Sequence, residues 1–157
     1  MDITKGFNCD KPVKQIVLNY YKTKAEEKGF KFIEDKKNNN NNYARIDLMF
    51  AVSSNTKYQK YAIEIKERNN DIEKYDDIMF EEDKIDIMKQ YITSGYISYF
   101  LNVFSDKTAL QFNIDTLKYQ TGLSYQHKYT VDKSDNKHPI PKVYIKKQYG
   151  KWINLTQ

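Results

Sequence analysis

Two stretches in the first half of the chain alternate between apolar and polar positions. From residue 44 to 52, Ala44, Ile46, Leu48, Phe50 and Val52 interleave with Arg45, Asp47, Met49 and Ala51. From 61 to 66, Tyr61, Ile63 and Ile65 interleave with Ala62, Glu64 and Lys66. A period of two predicts strands, with Asp47 facing away from its apolar neighbours and Glu64 and Lys66 sharing a face. Elsewhere the spacing is helical. Val13, Ile16, Val17, Tyr20 and Tyr21 form a stripe over residues 10–28, with Asp10 as cap, Pro12 in the first turn and Gly29 past the end. A second helix is predicted over 83–94, with Ile85, Met88, Tyr91 and Ile92 inward and Gly95 as its stop.

Three further strands follow from shorter signals. Phe30 to Glu34 reads as a short first strand. Tyr96 to Phe104 is an unbroken apolar run, as expected of a strand buried on both faces and reached by a helical crossover. Thr108 to Ile114 reads as another strand, closed by Asp115 to Leu117. Near the end, Val143 to Lys147 and Lys151 to Leu155, joined through Tyr149-Gly150, predict a hairpin approached irregularly through Pro139 and Pro141. The five consecutive asparagines, Asn38 to Asn42, predict a mobile polar loop. Between Asn69 and Asp86, eight acids (Asp71, Glu73, Asp76, Asp77, Glu81, Glu82, Asp83, Asp86) face two lysines. They read as solvated surface and as a helix N-terminus, where the dipole favours negative charge. The order helix, three strands, helix, strand predicts an α/β fold of the α+β type, a central mixed sheet flanked by helices. A chain of 157 residues makes one domain, 1–157, with a basic, aromatic C-terminal extension from about residue 118.

Several classes of function lack support. No apolar run is long enough to span a bilayer, and the N-terminus has no signal-like apolar segment. Cys9, the single cysteine, allows no internal disulfide. It fits a reducing compartment, the cytoplasm of a bacterial or phage-infected cell. His127 and His138 are isolated, so no zinc spacing exists, and neither a Gly-rich phosphate loop nor a Ser/His/Asp set is present.

The chemistry concentrates at Asp47, Glu64 and Lys66. If the two alternating strands pair, Asp47 comes to lie beside Glu64, and Lys66 stands about 6.5–7 Å along the strand from Glu64. A Glu-x-Lys pair also suits a solvated sheet face with a cross-strand ion pair. Both strands are strongly apolar on their other face, however, which predicts central strands, and a buried carboxylate is costly unless paired or metal-bound. Two carboxylates and the Ile65 carbonyl offer an oxygen-rich site for Mg²⁺ or Mn²⁺. Such an ion polarises a phosphodiester and supplies hydroxide, and Lys66 is placed to orient water or to stabilise charge developing on phosphorus.

Asp47 with Glu64-Ile65-Lys66 resembles the motif of the PD-(D/E)xK, or restriction-endonuclease-like, nucleases, with Ile46 where that motif has its proline. Within that superfamily the stretch Met88 to Phe104, then Ala109 to Ile114 and Ile140-Pro141, is similar to Holliday-junction resolvases of the recombination-protein-U type. No counterpart of their stalk insertion is visible. The resemblance implies a Mg²⁺- or Mn²⁺-dependent DNA endonuclease with branched DNA among its substrates and a homodimeric assembly placing two sites on two strands. It implies that Asp47, Glu64 and the Ile65 carbonyl hold metal, that Lys66 positions water, and that Gln90 meets a metal-bound water or a phosphate. The first-helix acid usual in such enzymes is missing near Lys14, Gln15 and Asn19, or displaced to Glu27, which otherwise reads as a solvated or capping residue. The same fold also serves restriction-like, repair and exonuclease enzymes, and non-catalytic nucleic-acid-binding modules.

Charge adds a binding surface to this picture. From Lys118 onward eight lysines stand against Asp132 and Asp135, a formal +6; the chain total of +5 leaves −1 elsewhere. Tyr119, Tyr125, Tyr129, Tyr144, Tyr149 and Trp152 interleave with them and are suited to stacking on bases or sugars. Lys142, Lys146, Lys147 and Lys151, with Arg45, are the expected phosphate contacts, giving sequence-independent and salt-sensitive affinity. A lysine-rich solvated surface in an AT-rich coding background is the alternative.

Overall fold

The computed structural model describes residues 11–68, 76–127 and 137–157, without the side chains of 124–138. The chain runs α1 (Lys11–Glu27), β1 (Lys31–Glu34), α2 (Lys36–Asn39), β2 (Leu48–Ser53), β3 (Tyr58–Arg68), β4 (Asp77–Glu81), α3 (Glu82–Thr93), β5 (Tyr96–Phe104), β6 (Thr108–Asn113), β7 (Gln120–His127), β8 (Lys137–Lys146) and β9 (Lys151–Asn154). Cys9, the Asp10 cap, the acids Asp71 and Glu73, and Lys128, Tyr129 and Lys133 lie outside the described residues.

Six strands form one mixed sheet in the order β1-β2-β3-β5-β6-β9. Only β3 and β5 pair in parallel; the other neighbours are antiparallel. The long connection through β4 and α3 supplies the crossover that parallel pairing demands. A second, three-stranded sheet has the order β4-β8-β7.

Alternation along the central strands sorts the core into two layers. Leu48, Phe50, Ile63, Ile65, Leu101 and Val103 meet Val13, Val17 and Leu18 of α1. On the other face Met49, Ala62, Phe100, Leu110 and Phe112 meet Ile85 and Met88 of α3 and Ile78, Phe80, Val143 and Ile145 of the second sheet. Phe80 stacks on Phe100 with centroids 3.5 Å apart. No helix among the described residues is long and apolar enough to cross a membrane.

Four expectations from the sequence are corrected. The alternation expected from Ala44 starts only at Leu48: residues 45–47 are bent, and Ile46 packs in the cluster of Met49 rather than that of Leu48. The asparagine tract is not simply a loop. Its first two residues, Asn38 and Asn39, close α2, capped by Asp35, whose side chain accepts from the Asn38 N–H, while Asn40 to Asn42 lie in the turn that follows. The acid-rich stretch contains β4, whose Ile78 and Phe80 are buried. The terminal hairpin does not exist: β8 pairs with β4 and β7, whereas β9 pairs with β6. Gly150 marks the reason. A Cβ there would lie 2.9 Å from the Phe112 ring and 3.1 Å from Leu110, so the chain passes tightly over β6 instead of folding back.

A candidate metal and phosphodiester site

The β2–β3 register sets the site. Leu48 stands opposite Ile63, so one step earlier Asp47 falls beside Glu64. Asp47 Oδ2 accepts the main-chain N–H of Ile65 at 2.8 Å. Both carboxylates are withdrawn from solvent, Asp47 at 3% exposure and Glu64 at 5%. Two asparagine side chains hold the bend that carries Asp47. Asn38 Nδ2 donates to the Ile46 carbonyl at 3.1 Å. Asn39 accepts the Met49 N–H at 2.8 Å and donates to the Met49 carbonyl at 3.1 Å. The β1 ladder ends at Glu34 opposite Phe50, and the buried Asn39 amide continues it where β1 stops. Lys14 of α1 ties down the Asn39 carbonyl at 2.6 Å.

Cations surround the pair. Lys84, in the first turn of α3, places Nζ 3.4 Å from Glu64 Oε1. The other oxygen, Glu64 Oε2, is buried with no hydrogen-bond partner. Burial, then the adjacent Asp47 charge, push the Glu64 carboxyl up to about 8, with Lys84 pulling the other way. Two carboxylates this close titrate as a unit and share a proton at neutral pH unless a cation joins them. Lys66 shares the face of Glu64 and opens to solvent. Partial desolvation lowers its pKa, helped by Arg68, Lys142 and Lys84 and opposed by Glu81. Arg68 donates to Asn102 Oδ1 at 3.0 Å, and burial brings it down to about 10.

The residues named from sequence fall into three groups. Asp47, Glu64 and Ile65 are brought together; Lys66 shares the face of Glu64 two residues along β3, and the charges it feels are those of Arg68, Glu81, Lys142 and Lys84. Gln90 and Glu27 are not brought to the pair. Gln90 is exposed and lies about 200° round α3 from the buried Met88, and Glu27 is an exposed residue ending α1, 3.7 Å from Lys24. Among the lysines expected on a binding surface, Lys146 and Lys151 are exposed, as is Arg45, and Lys147 is half-buried. Lys142 is different: at 3% exposure it is buried on β8, 3.6 Å from Glu81, and its charge is felt at Lys66. Sequence reasoning missed Lys84, Arg68 and Glu81 as members of the site. Glu81 and Lys84 come from β4 and α3, which the crossover and the second sheet bring close, whereas Arg68 ends β3 itself.

The donor set fits a hard divalent cation. Two adjacent carboxylates, one with a buried oxygen lacking any donor, match what Mg²⁺ or Mn²⁺ takes from protein, the remaining positions going to water and phosphate. Among the described residues no group of three or more His, Cys, Asp or Glu converges, so the pair stands alone as an anionic centre.

No protein-family model and no curated protein matches the chain. Solved structures resemble it, a resolvase and a nuclease by name among them. One is Hjc, a Holliday junction resolvase from Archaeoglobus fulgidus, 12% identical, with 89% of this chain and 91% of that one covered at a TM-score of 0.48. The other is D212, a nuclease from a fusselovirus, 15% identical, with 99% of this chain and 89% of that one covered at a TM-score of 0.50. The fold implied by the motif of Asp47 and Glu64-Ile65-Lys66 is thus the fold the chain has, the one it shares with the fusselovirus nuclease.

Proposed function

We propose that the protein is a metal-dependent endonuclease hydrolysing DNA phosphodiester bonds, with branched DNA of the Holliday-junction type as its preferred substrate. One observation carries this reading: two buried carboxylates, Asp47 in the bend before β2 and Glu64 on β3, lie side by side, one with an oxygen that no donor satisfies. Asp47, Glu64 and the Ile65 carbonyl would hold Mg²⁺ or Mn²⁺. When bound, such an ion polarises the phosphodiester and lowers the pKa of a water ligand.

The chain's own residues do the rest. The Ile65 N–H fixes the Asp47 carboxylate. Lys66, at the solvent mouth with a lowered pKa, orients the attacking water and stabilises charge developing on the phosphate oxygens. Arg45, Lys146, Lys147 and Lys151 neutralise backbone phosphates, and Lys142 serves inside the site rather than on the surface. A homodimer would set two such sites on two strands.

Cleavage of four-way junction, flap, duplex and single-stranded DNA with Mn²⁺ tests the proposal. The junction should be cut fastest, and Asp47→Ala and Lys66→Ala should bind it without cutting. A different order of substrates assigns restriction-like, repair or exonuclease work to the same site. Junction binding without any cleavage assigns a non-catalytic binding module.

A further inference from the structure

Lys84 is poorly placed for an ordinary surface lysine. It sits in the first turn of α3, behind Glu82 and Asp83, where the helix dipole disfavours a cation. Its side chain retains only 29% exposure, and its ammonium lies 3.4 Å from Glu64 Oε1. Lys66, Lys142 and Arg68 already bring three positive charges close together, with Glu81, paired to Lys142, opposing them in part. A fourth cation gains nothing from those neighbours. What holds it is the carboxylate pair, which it neutralises by a single charge while Glu64 Oε2 stays without a donor.

We infer that Lys84 is the resident counter-cation of the Asp47–Glu64 pair and is exchanged for the divalent ion when that ion binds. The inference rests on the metal-site reading above and deepens it. A monovalent ammonium and a divalent ion cannot both sit against Glu64 without repelling each other, so each lowers the other's occupancy, reciprocally. Exchange is open to Lys84 because the 29% of its side chain left in solvent and its flexible four-carbon stem let the ammonium turn outward. Once released, its ammonium faces the same mouth as Lys66 and meets a phosphodiester oxygen rather than a carboxylate. Lys84 therefore keeps the buried pair compensated in the absence of metal and weakens metal binding.

Calorimetric titration of Mn²⁺ into the wild type, Lys84→Met, Lys84→Gln, Lys84→Arg and Asp47→Asn at one pH and low salt tests this. The wild type is expected to bind, and Asp47→Asn to lose binding. Lys84→Met and Lys84→Gln should bind Mn²⁺ about tenfold more tightly than the wild type, and Lys84→Arg should stay near it. Equal or weaker Mn²⁺ binding by both neutral variants, with the wild type binding normally, overturns the exchange and leaves the metal site standing. Absence of Mn²⁺ binding by the wild type overturns both.

Discussion

Asp47 Oδ2 accepts the main-chain N–H of Ile65, the residue that follows Glu64 in β3. A side chain entering β2 is thereby bonded to the backbone of the neighbouring strand, and the two carboxylates are held as one unit. The bond favours the ionised form of Asp47. Burial beside that charge favours the protonated form of Glu64. Burial and the Asp47 charge thus hold the Glu64 carboxyl above its ordinary range, and the nearby Lys84 ammonium only partly offsets them.

This shift has a consequence for stability. Glu64 titrates near 8 in the fold against its ordinary 4.5. The folded state therefore holds a proton that the unfolded chain loses, and the stabilisation present below about pH 4.5 is lost as pH rises towards 8. Glu64→Gln should abolish this slope. In the presence of EDTA the variant should exceed the wild type at pH 8 by an amount on the order of a few kcal/mol. Urea unfolding at pH 5 and pH 8 measures the difference. Equal slopes in the two proteins would show that Glu64 is ionised throughout.

Binding of a divalent ion should release a proton. At pH 7 the pair carries the proton that Glu64 retains, and coordination needs both carboxylates ionised. Calorimetric Mn²⁺ titrations in buffers of different ionisation enthalpy should give close to one proton released at pH 7 and less at pH 9. A release of zero at pH 7 would place the pair fully ionised before the ion arrives.

The asparagine clamp makes a separate prediction. Asn39→Ala leaves the Met49 N–H inside the core without its acceptor, a loss of about 1–3 kcal/mol. It also loosens the bend that carries Asp47. The urea midpoint should fall by that amount, and cleavage should fall further than stability alone explains. Asn39→Asp keeps the acceptor but not the donor to the Met49 carbonyl, and should recover part of the loss.

The exposed lysines should act through salt. Lys146→Gln and Lys151→Gln are each expected to weaken junction binding at every sequence and to reduce the slope of log affinity against log salt by about 1. Gln90→Ala, on the exposed side of α3, should leave cleavage within about twofold of the wild type. A large loss of turnover for Gln90→Ala would return that residue to the site.

These residues also show where the sequence was readable. Glu64 and Lys66 were legible because a period of two assigns faces along β3; Asp47 lies in the bend before β2, and only the pairing of the two stretches puts it beside Glu64. Strand β4 was hidden because Asp76, Asp77 and Glu81 flank a run of only three apolar residues, Ile78, Met79 and Phe80. Its burial comes from β8, far along the chain. Lys142 read as surface charge for the same reason: its place opposite Glu81 is set by that register. Lys84 was lost in an acidic stretch, since nothing local says that the first turn of α3 leans over β3. The asparagines were misread because composition rules see polarity. The structure uses their amides as peptide groups, finishing the ladder that β1 leaves short.

The central claim is that Asp47, Glu64 and the Ile65 carbonyl share one divalent ion. Anomalous diffraction from crystals of the protein grown with Mn²⁺ tests it most directly. A single strong peak is expected between the two carboxyl groups, within coordinating distance of the Ile65 carbonyl, with the Lys84 ammonium withdrawn from Glu64. Mn²⁺ bound elsewhere, with Lys84 still paired to Glu64 and no peak between the carboxylates, would contradict it.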